Sequence, residues 1–155
     1  MAVRLLIVSL LLVNFGATAQ ESSPRRKSAY FIEAGGPSIL PSLNFDTRFS
    51  KGGMWGISTG IGYYPGENQF TFATNLNYLF GKRAHFTEFG LGAGYGSSRV
   101  SLLDEEVPDD FLYGQLNIGY RMHPARGMLL RLGANLLVGS GGGIILPYLG
   151  LGLAR

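Results

Sequence analysis

The sequence predicts an all-β protein, an eight-stranded antiparallel up-and-down transmembrane β-barrel. Three observations carry this prediction: an apolar leader precedes the domain, alternation at period two recurs in eight segments, and the two faces of those segments differ in chemistry. The composition agrees, because 24 glycines accompany only 15% charged residues, fewer charges than a soluble domain of average composition carries.

The amino-terminal segment is a secretory signal peptide. Arg4 precedes the apolar run 5–13, and Ala17-Thr18-Ala19 follows as an A-x-A cleavage site, so we predict cleavage after Ala19. A retained helical anchor is disfavoured, because the run is shorter than the roughly 20 apolar residues that span a bilayer. The predicted parts are residues 1–19 (signal peptide), 20–28 (flexible periplasmic tail) and 29–155 (barrel).

Composition excludes several classes of protein. There is no cysteine, which rules out disulfides, cysteine-ligated metals and a lipid-anchored lipoprotein. The formal net charge of +3 is too small to imply a nucleic-acid partner. No glycine-rich segment follows a strand and opens a helix, so we predict no nucleotide or other cofactor.

Eight segments after the tail alternate at period two. Most are about 10 residues long, the length that a tilted strand needs to cross the hydrocarbon layer. The number of strands is even, as it is in bacterial outer-membrane barrels made from a single chain. The predicted strands are residues 30–35, 40–49, 54–64, 70–80, 85–95, 111–122, 128–137 and 145–154.

The two faces of these segments indicate what surrounds the barrel. One face is bulky and uncharged, as at Trp55 and Ile57, and the other is small or polar, as at Gly56 and Ser58. A soluble lipocalin-like barrel would turn the bulky face inward and show a charged face to water. Glycine is a poor residue on a solvated strand, but it leaves room inside a narrow barrel. The pattern therefore favours a membrane barrel over a soluble periplasmic ligand-binding barrel.

The connections between strands predict the orientation of the barrel in the membrane, and the aromatic residues predict where the membrane interfaces lie. With the amino terminus in the periplasm, the turns after the second, fourth and sixth strands are short and basic. The opposite end carries the predicted outer loops 36–39, 65–69, 96–110 and 139–144. Aromatic side chains near strand ends, Phe31 and Phe86 among them, predict belts at the two membrane interfaces.

Several segments resemble a known family. They are Leu43-Asn44-Phe45-Asp46 with Arg48-Phe49, residues 75–83, His85-Phe86 with Glu88, and Gly119-Tyr120-Arg121. These segments resemble the small outer-membrane β-barrel proteins of the Bacteroidota, and the architecture is similar to OmpA-like and OmpX-like barrels. The resemblance implies a monomer in the outer membrane of a Gram-negative bacterium, in contact with lipid and lipopolysaccharide and inserted by the barrel-assembly machinery. The chain departs from such barrels at its end, where Arg155 stands in place of an aromatic residue.

Six charged residues fall on the face predicted to line the lumen. Buried charges require partners, because an unpaired ion out of water costs several kcal/mol. We therefore predict a salt-bridged plug that fills the lumen, with a polar gate for ions as the alternative. The six residues are the acids Glu33, Asp46 and Glu88 and the arginines Arg48, Arg121 and Arg131.

The longest predicted outer loop is acidic. Its carboxylates could bind Ca²⁺ or Mg²⁺, but their spacing does not match an EF-hand loop. We therefore predict a solvated contact surface and no metal site. The acidic residues are Asp104, Glu105, Glu106, Asp109 and Asp110.

An enzyme is the remaining alternative, because small barrels include lipid A deacylases and palmitoyltransferases that use a histidine with a serine. His85 and His123 both fall at the predicted periplasmic rim, and neither has an evident serine partner there. We therefore predict no catalytic activity and a structural or surface-contact role.

Overall fold

The computed structural model describes residues 27–39, 41–50, 53–64, 69–97, 110–122 and 127–155. Within these residues the chain forms eight strands, each antiparallel to its neighbours in sequence. The strands are β1 (Ser28–Ala34), β2 (Ser42–Arg48), β3 (Trp55–Tyr64), β4 (Gln69–Lys82), β5 (His85–Ser97), β6 (Asp110–Met122), β7 (Met128–Gly139) and β8 (Gly142–Ala154). No helix in this part of the chain is long and apolar enough to cross a membrane.

The sheet closes on itself. β1 pairs with β8, from Ala29 opposite Ala154 to Ala34 opposite Leu149, so each strand has two hydrogen-bonded neighbours. Among the described strands, closure therefore leaves none as an edge strand. The predicted fold class, an all-β eight-stranded antiparallel barrel, is confirmed.

Most predicted strand boundaries differ from the structure by one to three residues, and two of the differences change a predicted segment. β1 begins at Ser28, a residue that the sequence placed in the flexible tail. The predicted loop 139–144 is wrong: β7 and β8 pair as far as Gly139 and Gly142, so that only Ser140 and Gly141 form the turn. The glycines there suggested a loop, but the sheet uses their backbone groups, which hydrogen-bond without help from a side chain.

The bulky face of the strands lies on the outside. Leu112 is 75% exposed, Ile145 69% and Ile32 67%, whereas the side chains between them point into the lumen. This packing contradicts the first alternative, a soluble barrel with its apolar face inward. Asparagine, glutamine and charged residues fill the interior instead.

The lumen has a small apolar cluster near each end. The chain termini and the turns after β2, β4 and β6 define the terminal end, and the opposite end is the loop end. Ala29, Phe31, Leu129 and Ala154 pack together at the terminal end. At the loop end, Ile39, Tyr113 and Leu137 form the second cluster, against which Phe111, Ile144 and Leu146 pack.

The predicted aromatic belts are partly wrong. Trp55 and Tyr63 are half-exposed on the outer surface, as predicted, but Phe31 and Phe86 are each 2% exposed inside the barrel. Their strand parity, which they share with Glu33 and Glu88, decides their direction more strongly than their position near a strand end.

Some predictions fall on residues outside those described. They are the signal peptide 1–19, most of the tail, His123, and Asp104, Glu105, Glu106 and Asp109 of the acidic loop.

Candidate functional site

The six charged residues predicted for the lumen are all buried inside the barrel. Each is between 0% and 1% exposed. They come from five strands: Glu33 from β1, Asp46 and Arg48 from β2, Glu88 from β5, Arg121 from β6 and Arg131 from β7. The antiparallel closure therefore gathers side chains from across the chain into one site, which we call the lumen charge network.

The network is a continuous line of alternating charges. It runs Arg48, Asp46, Arg121, Glu88, Arg131, Glu33, and each neighbouring pair in that order is an ion pair. Three acids balance three arginines, so that the buried cluster carries no formal net charge. This balance allows the charges to remain ionised out of water.

Asp46 organises one half of the network. Its Oδ1 accepts a hydrogen bond from Nη2 of Arg121 at 2.9 Å, and its Oδ2 accepts one from Nη1 of Arg121 at 3.1 Å. Arg48 donates from Nε to Oδ1 of Asp46 at 3.3 Å. Asn77 adds a donor at 2.8 Å to Oδ2 and accepts a hydrogen bond from Arg48 in return. Two guanidinium groups and an amide thus satisfy a single carboxylate.

Arg131 organises the other half. Its Nε and Nη2 donate to the two oxygens of Glu88 at 3.0 Å each, and its Nη1 donates to Glu33 at 2.7 Å. Its Cζ also lies 4.6 Å from the centroid of the Phe31 ring and 5.3 Å from that of Tyr148. Two carboxylates and two aromatic faces therefore surround one buried cation, a geometry that stabilises a desolvated guanidinium.

A longer contact joins the two halves. Nη1 of Arg121 lies 3.7 Å from Oε1 of Glu88, whereas its contacts with Asp46 are about hydrogen-bond length. Arg121 is therefore chiefly the partner of Asp46 and only secondarily that of Glu88.

Glycines on the inner face leave the volume that the network occupies. A Cβ on Gly56 would lie 2.6 Å from Nε of Arg48, and one on Gly150 would lie 3.1 Å from Oε2 of Glu33. The prediction that glycine makes room for large polar groups is confirmed at these two positions.

Polar residues accompany the charges. The sequence pattern placed Asn75, Asn77 and Asn117 on the polar face of their strands, but it did not predict them as part of the charge cluster. Asn77 belongs to the network, and Nδ2 of Asn75 donates to Oδ1 of Asn117 at 2.8 Å in an adjoining amide group. Tyr148 packs against Arg131, although it was not predicted as a lumen residue. The available signal was parity, because Tyr148 is two residues from Gly150, which faces inward.

The predicted outer loop 36–39 lies inside the mouth of the barrel. Ser38 is 0% exposed and Ile39 is 9% exposed. The Tyr113 hydroxyl donates to the Pro37 carbonyl at 2.6 Å, and the Thr71 hydroxyl donates to that of Ser38. The connection lies at the predicted end of the barrel, and it folds inward because side chains of β4 and β6 provide donors that satisfy its backbone within the lumen.

The other predicted site residues lie at the two ends. Asp110, the one acidic-loop residue within the described ranges, is exposed at the start of β6. His85 is exposed at the terminal end, as predicted, and its Nδ1 hydrogen-bonds to the Tyr120 hydroxyl. Across the described residues, no group of three or more His, Asp and Glu side chains could hold a metal ion.

Comparisons with known proteins identify structural relatives. The chain matches the N-terminal β-barrel domain of Pseudomonas aeruginosa OprF with a TM-score of 0.61 at 11% identity, covering 86% of this chain and 100% of that one. It matches the Yersinia pestis outer membrane protein Ail, solved in a phospholipid bilayer nanodisc, with a TM-score of 0.51 at 12% identity and the same coverage. No family model and no curated protein matches the sequence. At these identities the likeness establishes the fold, a closed antiparallel barrel, and the resemblance to Bacteroidota proteins stays a prediction.

Proposed function

We propose that the chain is a small integral outer-membrane β-barrel protein of a Gram-negative bacterium, with a structural or surface-contact role and a lumen closed by its own side chains. The observation that carries the proposal is the division between its two surfaces. An uncharged apolar surface faces out along the strands, while the six charged side chains of the lumen charge network are enclosed. That division is typical of barrels that have hydrocarbon around them.

The outer surface supports the membrane location. Leu91, Leu116 and Ile118 are each more than half exposed along the middle of β5 and β6. A soluble monomer rarely exposes so large a contiguous apolar patch. The same fold in Ail, an outer membrane protein solved in a bilayer, adds support.

Burial of the lumen charge network supports the closed lumen. A water-filled passage would leave the arginine and carboxylate groups in contact with water, yet none of the six is more than 1% exposed. Apolar clusters lie near both ends of the lumen, and residues 36–39 fill part of its mouth at the loop end. The charge network therefore acts as a plug that holds the strands in register, in preference to a gate for ions.

Cell fractionation with a heat-modifiability gel tests the location. The expected result is recovery in the outer-membrane fraction, with unboiled and boiled samples migrating differently. Recovery in the soluble periplasm would contradict the proposal.

Planar-bilayer recording tests the plug. The folded protein should show no steady open pore, with protein-free bilayers as the blank. A stable large conductance would refute the closed lumen but would leave the membrane location intact.

We propose no enzymatic activity. Among the described residues, His85 hydrogen-bonds to the Tyr120 hydroxyl and not to a serine, so it does not form the histidine–serine pair of the alternative enzymes. Mass spectrometry of lipid A from cells with and without the protein should give identical acyl patterns, and a changed pattern would overturn this part of the proposal.

The proposed partners follow from the location. They are outer-membrane lipid, lipopolysaccharide and the barrel-assembly machinery, and the protein acts as a monomer. The acidic loop that ends at Asp110 is the proposed contact surface, because it leaves the barrel at the loop end.

A further inference from the structure

We propose that the outer surface of β4, β5 and β6 binds an anionic phospholipid. The phosphate lies at Lys82, Arg83 and His85, and an acyl chain lies in an apolar groove that opens at Trp55 and Tyr78. This inference rests on the proposed membrane location and adds to it a defined site and a lipid class.

The groove follows one row of paired residues across the outer surface. Tyr78 pairs with Phe89, Phe89 with Ile118, and Ile118 with Ala134. Ala134 carries only a methyl group, so the surface dips there, between larger side chains that include Ile145. Apolar and aromatic side chains form the walls, which suits hydrocarbon and offers little to a polar ligand.

The length and slope of the groove suit one acyl chain. From Trp55 on β3 to Pro147 on β8, which pairs with Ala134, the row crosses five strand spacings, about 24 Å at roughly 4.8 Å each. Because barrel strands tilt by about 40°, such a row descends about 15 Å, half of the roughly 30 Å hydrocarbon core. The groove therefore spans about the depth of one leaflet.

A basic turn lies beyond the mouth of the groove. Trp55 is the first residue of β3 and pairs with Tyr78, but β4 continues from there to Lys82. The β4–β5 hairpin therefore projects past β3 at the terminal end, and Lys82, Arg83 and His85 are all exposed on it. Tyr78 and Lys82 are four strand residues apart, about 13 Å, a distance that places the charges at headgroup level.

The hairpin offers the groups that bind a phosphate. Lysine supplies a mobile cation, and arginine supplies a planar fork of donors that matches phosphate oxygens. His85 is held against Tyr120, with ring centroids 5.9 Å apart and a hydrogen bond to the hydroxyl. The tyrosine ring favours the interface between hydrocarbon and water.

Charge complementarity selects an anionic lipid. Among the described residues the exposed carboxylate is Asp110, which begins β6 at the loop end, far from the hairpin. A zwitterionic headgroup carries a cation, for which the described residues present no exposed acidic side chain at the hairpin. A headgroup with net negative charge meets the exposed basic side chains of Lys82, Arg83 and His85 there.

The chain supplies a matched control. Lys27 and Arg155 are also exposed at the terminal end, but they flank β1 and β8 on another part of the rim. Neither residue borders the groove. Removing this pair changes the net charge by the same amount as removing Lys82 and Arg83.

The test is native mass spectrometry of the protein refolded in neutral detergent, with phosphatidylglycerol or phosphatidylcholine of identical acyl chains. We expect one phosphatidylglycerol retained per barrel and about 30-fold weaker retention in K82Q/R83N, from two lost surface charges. Asparagine is chosen because Arg83 has a positive φ of 60°, which asparagine tolerates. The K27Q/R155Q variant should retain lipid as the unaltered protein does.

A groove variant and a phosphate competition complete the test. A134F should weaken retention while the barrel stays heat-modifiable, and excess inorganic phosphate should not displace the lipid. Equal retention of the two lipids, an equal loss in the control pair, or displacement by inorganic phosphate would overturn the lipid site. A protein that fails to fold in micelles and bilayers would instead overturn the proposed membrane location.

Discussion

Arg131 and Glu88 face each other across the lumen as a bidentate pair, with both hydrogen bonds 3.0 Å long. Arg131 also donates to Glu33, so one guanidinium pairs with two carboxylates from different strands. Each carboxylate is 0% exposed, and neither can turn to water for a replacement donor. Arg131 therefore links β7 to β5 through Glu88 and to β1 through Glu33. β1 is one of the two strands whose pairing closes the barrel.

Replacing Arg131 with methionine should be strongly destabilising. The substitution leaves Glu33 and Glu88 buried together without their common cation, and removing one partner of a buried pair costs about 3–5 kcal/mol. The free energy of unfolding in detergent micelles, from urea titration, measures the effect. K82Q, which removes an exposed charge, is the control and should change stability by less than about 0.5 kcal/mol. Equal free energies of unfolding for R131M and K82Q would contradict the described pairing of Arg131.

Replacing Asp46 should lower the free energy of unfolding more than replacing Glu33. Asp46 accepts hydrogen bonds from two arginines, whereas Arg131 is the one arginine among the described residues that hydrogen-bonds to Glu33. A hydrogen bond to a charged group contributes about 1.5–3 kcal/mol, so that D46N should cost about 3–5 kcal/mol and E33Q about half as much. The reverse order in urea unfolding would show that the described pairing is not the one that stabilises the barrel.

An inward glycine should resist substitution by alanine. A Cβ on Gly133 would lie 2.6 Å from Cα of Gly119 and 2.7 Å from the Tyr148 hydroxyl. Because backbone cannot easily move aside, we expect G133A to lose about 1–3 kcal/mol through overpacking. G141A is the matched control, since a Cβ there meets nothing within 4 Å. Equal thermal midpoints for G133A and G141A would contradict the close packing described around Gly133.

The hydroxyl of Tyr113 should hold the loop in the mouth of the barrel. Y113F removes its donation to the Pro37 carbonyl and should cost about 1–3 kcal/mol, because that carbonyl loses a buried partner. Hydrogen exchange of the Ile39 amide, which donates to Gly36, should then accelerate. Y64F, at a side chain that is 46% exposed, serves as the control. Unchanged exchange in Y113F would indicate that other contacts hold the loop.

A charge on the outer surface discriminates a membrane barrel from a soluble one. Leu91 is 61% exposed near the middle of β5, and L91R should cost about 2–4 kcal/mol in a bilayer. The same substitution at Leu112, 75% exposed near the loop end of β6, should cost about 0–1 kcal/mol. Unfolding in lipid vesicles measures both. If the outer surface lay in water, neither substitution would change the free energy of unfolding.

Much of the architecture is predictable from the sequence because of one local rule. Side chains in a strand alternate between two faces, so Glu33, Asp46 and Glu88 can be assigned to the lumen from their parity alone. The same rule places Leu91 and Leu112 outside. Where other signals were preferred to parity the prediction was wrong, as for Phe31, which was placed in a belt because it lies near a strand end.

Turns were harder to predict, because a loop and a paired strand can share a composition. The sequence predicts residues 36–39 as an outer connection, and in the structure Ser38 and Ile39 are buried in the mouth. Nothing within the segment itself specifies this position. It depends on donors provided by Thr71 and Tyr113, which lie far away in sequence.

The sequence by itself determined the number of strands, the face on which each side chain lies, and the set of charges that share the lumen, because these depend on local periodicity and on the cost of burying a charge. Only the tertiary structure decided which charges pair. Asp46 meets Arg121 across 75 residues, and Glu33 meets Arg131 across 98. Those contacts depend on the register of every strand pair and on the closure of β1 against β8, which bring distant residues to the same depth in the lumen.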